Sequence, residues 1–475
     1  MQGVLEQYEY GAGYDEMFEA PGVPRAHCRA VFDALRALTE GDIVEARQRA
    51  DLAFVNLGIT FTVYSESEGI ERIFPFDLVP RVIAGREWRT IEQGLKQRLL
   101  ALNAFLQDVY NEGRIIAAGI VPAEAVYGCP NFRPEMRGFT PPNGVWVHIA
   151  GIDLVRDADG TMYVLEDNAR TPSGVSYVLQ NRSISTRVLP RLFAQSGVVP
   201  VNDYANRLHA AVRRCFGPDP AVVLTPGMYN SAYFEHSYLA KQMGVQLVEG
   251  RDLAVRGGRV VMRTTRGPIP VGAIYRRVDD EFLDPLNFNP ESTLGVPGLL
   301  DVYRSGGTCL VNGVGTGVAD DKSIYPYVPE MIRFYLGETP ILANVPTYRT
   351  VDEKDREYTL AHLRELVVKP ANASGGYGVV IGPTADERTL AATAEAIEAD
   401  PANFVAQPLI RLSTCPTVID GSYQPRRVDL RPFIVYDGGE PWVLPGGLTR
   451  VALKEGSFIV NSSQGGGSKD TWVLN

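Results

Sequence analysis

The chain has 475 residues, of which 45% are hydrophobic and 21% charged, with a net charge of −10; that length exceeds a typical domain about two- to threefold. Acidic and basic residues are interspersed, so no basic stripe exists to neutralise a phosphate backbone, and nucleic acid is not an expected partner. With no run of about 18 apolar residues and no charged, apolar, small-residue leader, the expectation is a soluble cytoplasmic protein without membrane contact. The five cysteines (Cys28, Cys129, Cys215, Cys309, Cys415) are far apart and never form C-x-x-C, which predicts neither a disulfide framework nor a zinc site. None of the five histidines stands in a metal-binding pattern, and each reads as structural.

In chain order, apolar residues recur at helical spacing from Pro24 to about Gly58, and "ITFTVYSESEGIERIFPF" predicts two strands around a polar turn. "REWRTIEQGLKQRLLALNAFLQDVYNEG" predicts a long helix ending near Gly113. The Pro/Gly/Asn-rich "YGCPNFRPEMRGFTPPNG" reads as a long connection of the functional or mobile kind. "AVVLTPG", "NSAYFEHSYLAKQMG" and "VQLVEG" predict a strand, a helix closed by Gly244 and a second strand, together one parallel βαβ unit. "LAVRGGRVVMRTT" predicts a hairpin over Gly257-Gly258, and "VGAIYRRVDD" a strand ending in charge. From Leu366 the pattern is strand, glycine loop, strand, an alanine- and glutamate-rich helix, and the strand "NFVAQPLI". The terminal "NSSQGGGSKD" reads as a mobile loop near a ligand or a loose end.

The stretch "GIDLVRDADGTMYVLEDNAR" carries the first chemical signal. A two-residue type I′ turn at Asp159-Gly160 sets Asp153 opposite Glu166. Alternation puts Ile152, Leu154, Tyr163 and Leu165 on one face and Asp153, Val155, Val164, Glu166 and Asn168 on the other. Opposed carboxylates about 5 Å apart repel by about 3 kcal/mol at an effective dielectric near 20. A divalent cation held by Asp153, Glu166 and the Asn168 amide would offset that cost, in the hard-oxygen shell that Mg²⁺ takes. A solvated hairpin with screened acids accounts for the same residues equally well.

"VVKPANASGGYGVVIG" places Lys369 at a strand end before a small-residue loop (Ser374, Gly375, Gly376, Gly378), a pattern that closes over phosphates or forms an ordinary glycine turn. The backbone after Gln407, at Leu409, could receive an adenine edge. "RRVDLRPFIV" sets Arg427, Asp429 and Arg431 on one strand face, and "PGGLTRVA" adds Arg450; phosphate recognition and a surface ion-pair ladder both fit. In "TPGMYNSAYFEHS" a helix start at Asn230 and Ser231 offers N–H groups to a carboxylate, and "YRRVDD" supplies Arg276, Arg277 and Asp279 for a zwitterion. A plain helix cap beside a surface ion-pair cluster is the other reading.

Lys369 before its glycine loop, the strand ending at Gln407 and the Asp153/Glu166/Asn168 hairpin resemble the ATP-grasp superfamily. More closely, the chain resembles the circularly permuted ATP-grasp type 2 family, related to the synthetase part of glutathionylspermidine synthase, from "YDEMF" at Tyr14 to the terminal "SSQGGGSKDTWVL". The resemblance implies an α/β fold with α+β elements: an ATP-grasp fold in circularly permuted order. It divides into a mainly helical N-terminal region (1–140), a metal-binding hairpin with helices (141–220), a Rossmann-like substrate domain (221–350) and a nucleotide-binding lobe (351–475). It also implies ATP- and Mg²⁺-dependent ligation of a carboxylate to an amine through an acyl phosphate, on a small-molecule or peptide substrate and an amine co-substrate. Asp153, Glu166 and Asn168 would hold the metal, Lys369 the phosphates, Ser374 to Gly378 the lid, and Arg427, Arg431 and Arg450 the transferring group. A phosphotransferase and a non-catalytic nucleotide-binding module are the alternatives.

Overall fold

The computed structural model describes the chain except residues 1–4, 6, 7, 12, 66, 67, 373–377, 459 and 461–464, together with the side chains of 61–72 and 216. Ser374, Gly375 and Gly376 therefore lie outside the described residues, whereas Gly378 is described.

Mixed α/β architecture is built around one ten-stranded sheet. Its main path runs Ala343–Asn344, Met162–Asn168, Ile149–Arg156, Ser422–Arg431, Leu448–Val451, Gly467–Val473 and Phe76–Ile83. Alternation along the strands feeds two cores. Ile152, Leu154, Val164 and Leu430 pack with the long helix Gly85–Val109, whose Leu95, Leu99, Leu102, Phe105 and Leu106 recur at three- and four-residue spacing. Ile149, Phe433 and Leu448 pack on the opposite side with the helices Val175–Val188 and Tyr204–Phe216. The inner hairpin face carries two charges: Asp167, which Arg98 of the long helix neutralises through two bonds of 2.5 and 2.6 Å, and Arg156, which pairs with Glu16 at 3.0 Å and with Glu87 at 2.5 Å.

A separate four-stranded parallel sheet has the order Cys309–Val311, Ala273–Arg276, Ala221–Leu224, Gln246–Val248. The expected βαβ unit is its right half, with the helix Tyr233–Met243 as crossover. The expected hairpin over Gly257-Gly258 forms, both glycines taking positive φ (58° and 72°) as a type I′ turn requires. A second four-stranded sheet orders Tyr348–Arg349, Phe404–Pro408, Leu366–Pro370 and Val380–Ile381.

Three expectations change. The connection 127–144 is packed rather than loose: Phe132 stacks on Tyr110 at 4.9 Å, and Phe132 and Met136 are buried. The polar tail contains the strand Gly467–Val473, all seven residues buried, where Lys469 finds Asp77 as a buried partner and Arg182 grips Asp470 at 2.9 Å. Cys215 is bonded to Cys309 across 94 positions, with the buried His148 Nε2 3.1 Å from Cys215 Sγ. Sequence spacing carries no sign of that pair, because the helix Tyr204–Phe216 and the strand Cys309–Val311 meet only in the folded chain. Among the described residues no helix is long and apolar enough to cross a membrane.

Candidate active site

Asp153 does lie opposite Glu166, by a route other than the predicted one. The strands are joined by residues 157–161, with Gly160 N–H donating to the Asp157 carbonyl and Asp157 N–H to the Thr161 carbonyl. Asp159 keeps a negative φ while Gly160 takes 88°, so the turn is not type I′. The resulting one-residue offset is undone at Leu165, where a bulge carries the register from Leu154↔Val164 to Asp153↔Glu166. The predicted face assignment therefore changes: Val164 is fully buried in the core, and Tyr163 and Leu165 are only half-buried.

The repulsion between the two acids is offset by arginines. Arg431 spans Asp153 with Nε–Oδ1 at 2.5 Å and Nη2–Oδ2 at 2.8 Å, and the same Nη2 lies 3.6 Å from Glu166 Oε1. Arg450 donates to Asp153 Oδ2 at 2.6 Å and, through Nε, to Asp429 Oδ1 at 2.9 Å. Burial alone would raise the Asp153 pKa, but the two guanidiniums hold it well below the usual carboxylate range. Gly151 gives Arg431 its path: a Cβ there would come within 3.2 Å of Pro172 and 3.4 Å of Arg431 Cδ. Two guanidiniums against the three carboxylates Asp153, Glu166 and Asp429 leave one negative charge, on the half-exposed Glu166.

Lys369 faces that charge. Its strand pairs with Phe404–Pro408, and Nζ donates to Gln407 Oε1 at 2.6 Å, while Gln407 Nε2 donates to Thr347 Oγ1 at 2.9 Å. Burial lowers the Lys369 pKa to about 8, with Glu166 and Asp153 pulling it up and Lys322 pushing it down. Among the described residues the Leu409 amide and carbonyl have no hydrogen-bond partner, so this main chain is open at the strand end. At Gly378 φ is 72°, and a Cβ would meet Pro370 Cγ at 2.9 Å, which excludes a side chain where the glycine loop returns.

Where hairpin and lobe meet, a polar cavity of about 30 Å³ is lined by Glu166, Asn168, Asp320, Lys322 and Asn372. Asp320 and Lys322 went unrecognised in the sequence, although the charged run "DDK" after an apolar turn was their one available mark. Asp320 accepts from the Ala169 N–H and binds Arg170 Nε at 2.7 Å, which fixes the exit of the hairpin.

Other predicted residues lie apart. Arg427 is four residues before Arg431 and donates instead to the Gly456 and Ser457 carbonyls. Arg276 is fully buried, spending its donors on the Asn312, Val278 and Gly313 carbonyls and pairing with Asp280 at 2.7 Å. Arg277 holds the Pro172 carbonyl at 2.7 Å and the Thr171 carbonyl at 3.2 Å. Both arginines thus brace the chain, and neither offers its fork to a zwitterion. The helix after "TPGMYNS" begins at Tyr233; Asn230 Oδ1 accepts from Ala232 N–H, and neither Asn230 nor Ser231 is the N-cap residue. Asp279 is exposed and acts electrostatically on Arg170.

Glu166 is partly open to the cavity that Asn168 also lines, and a carboxylate with a side-chain amide oxygen is the donor chemistry a hard cation takes. Both Asp153 oxygens are taken by guanidinium, so it donates only where one of them is released.

The model of the circularly permuted ATP-grasp type 2 family matches residues 80–452. An uncharacterized Synechocystis sp. protein is 53% identical over 474 residues, covering 99% of this chain and 98% of its own length. A Frankia casuarinae protein named "Putative glutamate--cysteine ligase 2-2" is 45% identical over 99% of this chain, which spans 54% of that longer protein. The solved structure of a glutathione synthetase-like effector from Globodera pallida shares the fold with a TM-score of 0.61 at 11% identity, over 92% of this chain and 98% of that one. With the family model matching most of its length, the chain belongs to the circularly permuted ATP-grasp type 2 family.

Proposed function

We propose that the protein is an ATP- and Mg²⁺-dependent carboxylate–amine ligase working through an acyl phosphate. The family and the ligase names of its relatives support an ATP-dependent ligase. One observation carries the finer reading: Glu166 and Asn168 of the hairpin line one polar cavity together with Lys322 and with Asn372, three residues beyond Lys369. In this reading the ATP-grasp elements stand in permuted order, the hairpin region near 141–220 ahead of the nucleotide lobe 351–475.

Lys369 and Lys322 bind phosphate oxygens, and the open main chain at Leu409 receives the adenine edge. Glu166 and Asn168 would hold Mg²⁺, with Asp153 completing the set where one of its oxygens is released; the ion would supply neutralisation of charge on the transferring phosphoryl group. Arg431, exchanging an Asp153 oxygen for the substrate carboxylate, orients the acid. A carboxylate oxygen of the acid attacks the γ-phosphorus and ADP leaves with the bonding pair. The amine nitrogen then attacks the acyl carbon, phosphate departs, and the nitrogen loses a proton to give the amide. Positioning and electrostatic stabilisation supply the rate, with no general base needed.

The amine fits the parallel sheet as a Rossmann-like substrate domain. Ala221–Leu224 and Ala273–Arg276 are neighbours whose onward connections run to opposite sides of the sheet. Ligands bind outside the carboxyl ends at such a switch point, here beside Asn230, Ser231 and the exposed Asp279. The test is incubation with ATP and pooled amino acids, polyamines and short peptides, read by mass spectrometry. The ligase yields ADP and a product equal to acid plus amine less one water; a product gaining only phosphate contradicts it.

A further inference from the structure

A cavity of about 590 Å³ opens among Glu9, Thr414, Tyr423, Arg426, Arg427 and Lys454, within the usual size of small-molecule pockets. It shares no lining residue with the cavity at Glu166 and Asn168. Its charges are uncompensated: among the described residues none of Arg426, Arg427, Lys454, Glu9 or Glu455 forms an ion pair, and the three cations outnumber the two acids.

Arg427 differs from its neighbours in how it is held. Arg431 and Arg450 are closed by carboxylates. The Arg427 guanidinium lies 3.6 Å over the Phe458 ring and bonds through Nη1 alone to the Gly456 and Ser457 carbonyls. Its Nε and Nη2 have no hydrogen-bond partner among the described residues. A planar fork fixed on one edge and open on the other is preorganised for a carboxylate. Burial without a compensating anion lowers its pKa, the direction expected of a cation waiting for one.

The strand Ser422–Arg431 places this fork relative to the candidate active site. Asp429 binds Arg450 and Arg431 binds Asp153, so the odd-numbered positions share the functional face and Arg427 stands on it. Four residues separate Arg427 from Arg431, about 13 Å at 3.3 Å per residue. We infer that the cavity recognises the far carboxylate of an extended, peptide-like acid whose other carboxylate is activated at Arg431. The substrate class is thus a diacid about three to four residues long. This rests on the ligase reading for its second end, and on the cavity alone for its first.

Affinity selection tests it on the full chain with a mixed tetrapeptide library, offered with free C-terminal carboxylates and again fully amidated. A charge-assisted bidentate contact predicts about tenfold preferential retention of the free acids. Arg427→Met, which keeps an apolar stem over Phe458, should abolish the preference, Arg427→Lys should keep part of it, and both should bind Mg-ATP as the wild type does. Equal retention of acid and amide by the wild type, or a preference surviving in Arg427→Met, overturns the inference. Retention is read without turnover: Arg427-dependent binding in a protein that never consumes ATP refutes the ligase reading while the carboxylate site stands.

Discussion

Two strand ends in this molecule gather arginines and acids, and they use them differently. At the end of Ala273–Arg276, Arg276 and Arg277 give most of their donors to main-chain carbonyls at 2.7–3.2 Å. At the end of Ser422–Arg431, Arg431 gives Nε and Nη2 to carboxylates, one of them on the partly exposed Glu166. Carbonyls fixed by the fold cannot be exchanged for a ligand without leaving buried polar groups unpaired. Carboxylates beside a polar cavity can be traded for phosphate or metal. Composition alone does not separate a brace from a site; the partner of each donor does.

Breaking the brace should have the largest effect. Arg276→Met leaves Asp280 and three carbonyls without their partner, and a buried pair broken on one side costs about 3–5 kcal/mol, read as a lowered melting temperature. Asp153→Asn should approach that cost, because Arg431 and Arg450 lose their shared anion, whereas Glu166→Gln should leave the melting temperature close to wild type. Next comes Lys369→Met: removing the half-buried ammonium from the proposed phosphate site should weaken ATP binding by about tenfold, on the order of 1.5 kcal/mol, with little change in melting temperature.

The smallest effect is in pH. A lysine with a pKa of about 8 in the free protein is charged below that value and neutral above it. ATP affinity should therefore hold at pH 7 and fall as pH rises through 8 to 9. Because the Glu166 anion raises the Lys369 pKa, Glu166→Gln should move the decline to lower pH. A decline that does not move in the variant would separate the lysine from the hairpin.

Much of this was legible in the sequence where interactions are local. The βαβ unit, the hairpin over Gly257-Gly258 and the separate strands of Lys369 and Gln407 follow from periodicity and turn residues. The opposition of Asp153 and Glu166 was right through two errors that cancel: a longer turn at Gly160 and an unpredicted bulge at Leu165. What offsets their repulsion was not legible, because Arg431 and Arg450 arrive from positions 278 and 297 residues downstream of Asp153. The strand Gly467–Val473 was hidden by polar residues, since Lys469 and Asp470 are buried with partners at distant positions.

The central claim is that Glu166 and its hairpin hold Mg²⁺ against ATP bound by the Lys369 lobe. Equilibrium titration of ATP with and without Mg²⁺, in wild type and Glu166→Gln, tests it most directly. The account predicts that Mg²⁺ tightens binding in the wild type and has little effect in the variant, whose melting temperature is unchanged. An equal Mg²⁺ dependence in the two proteins would contradict it.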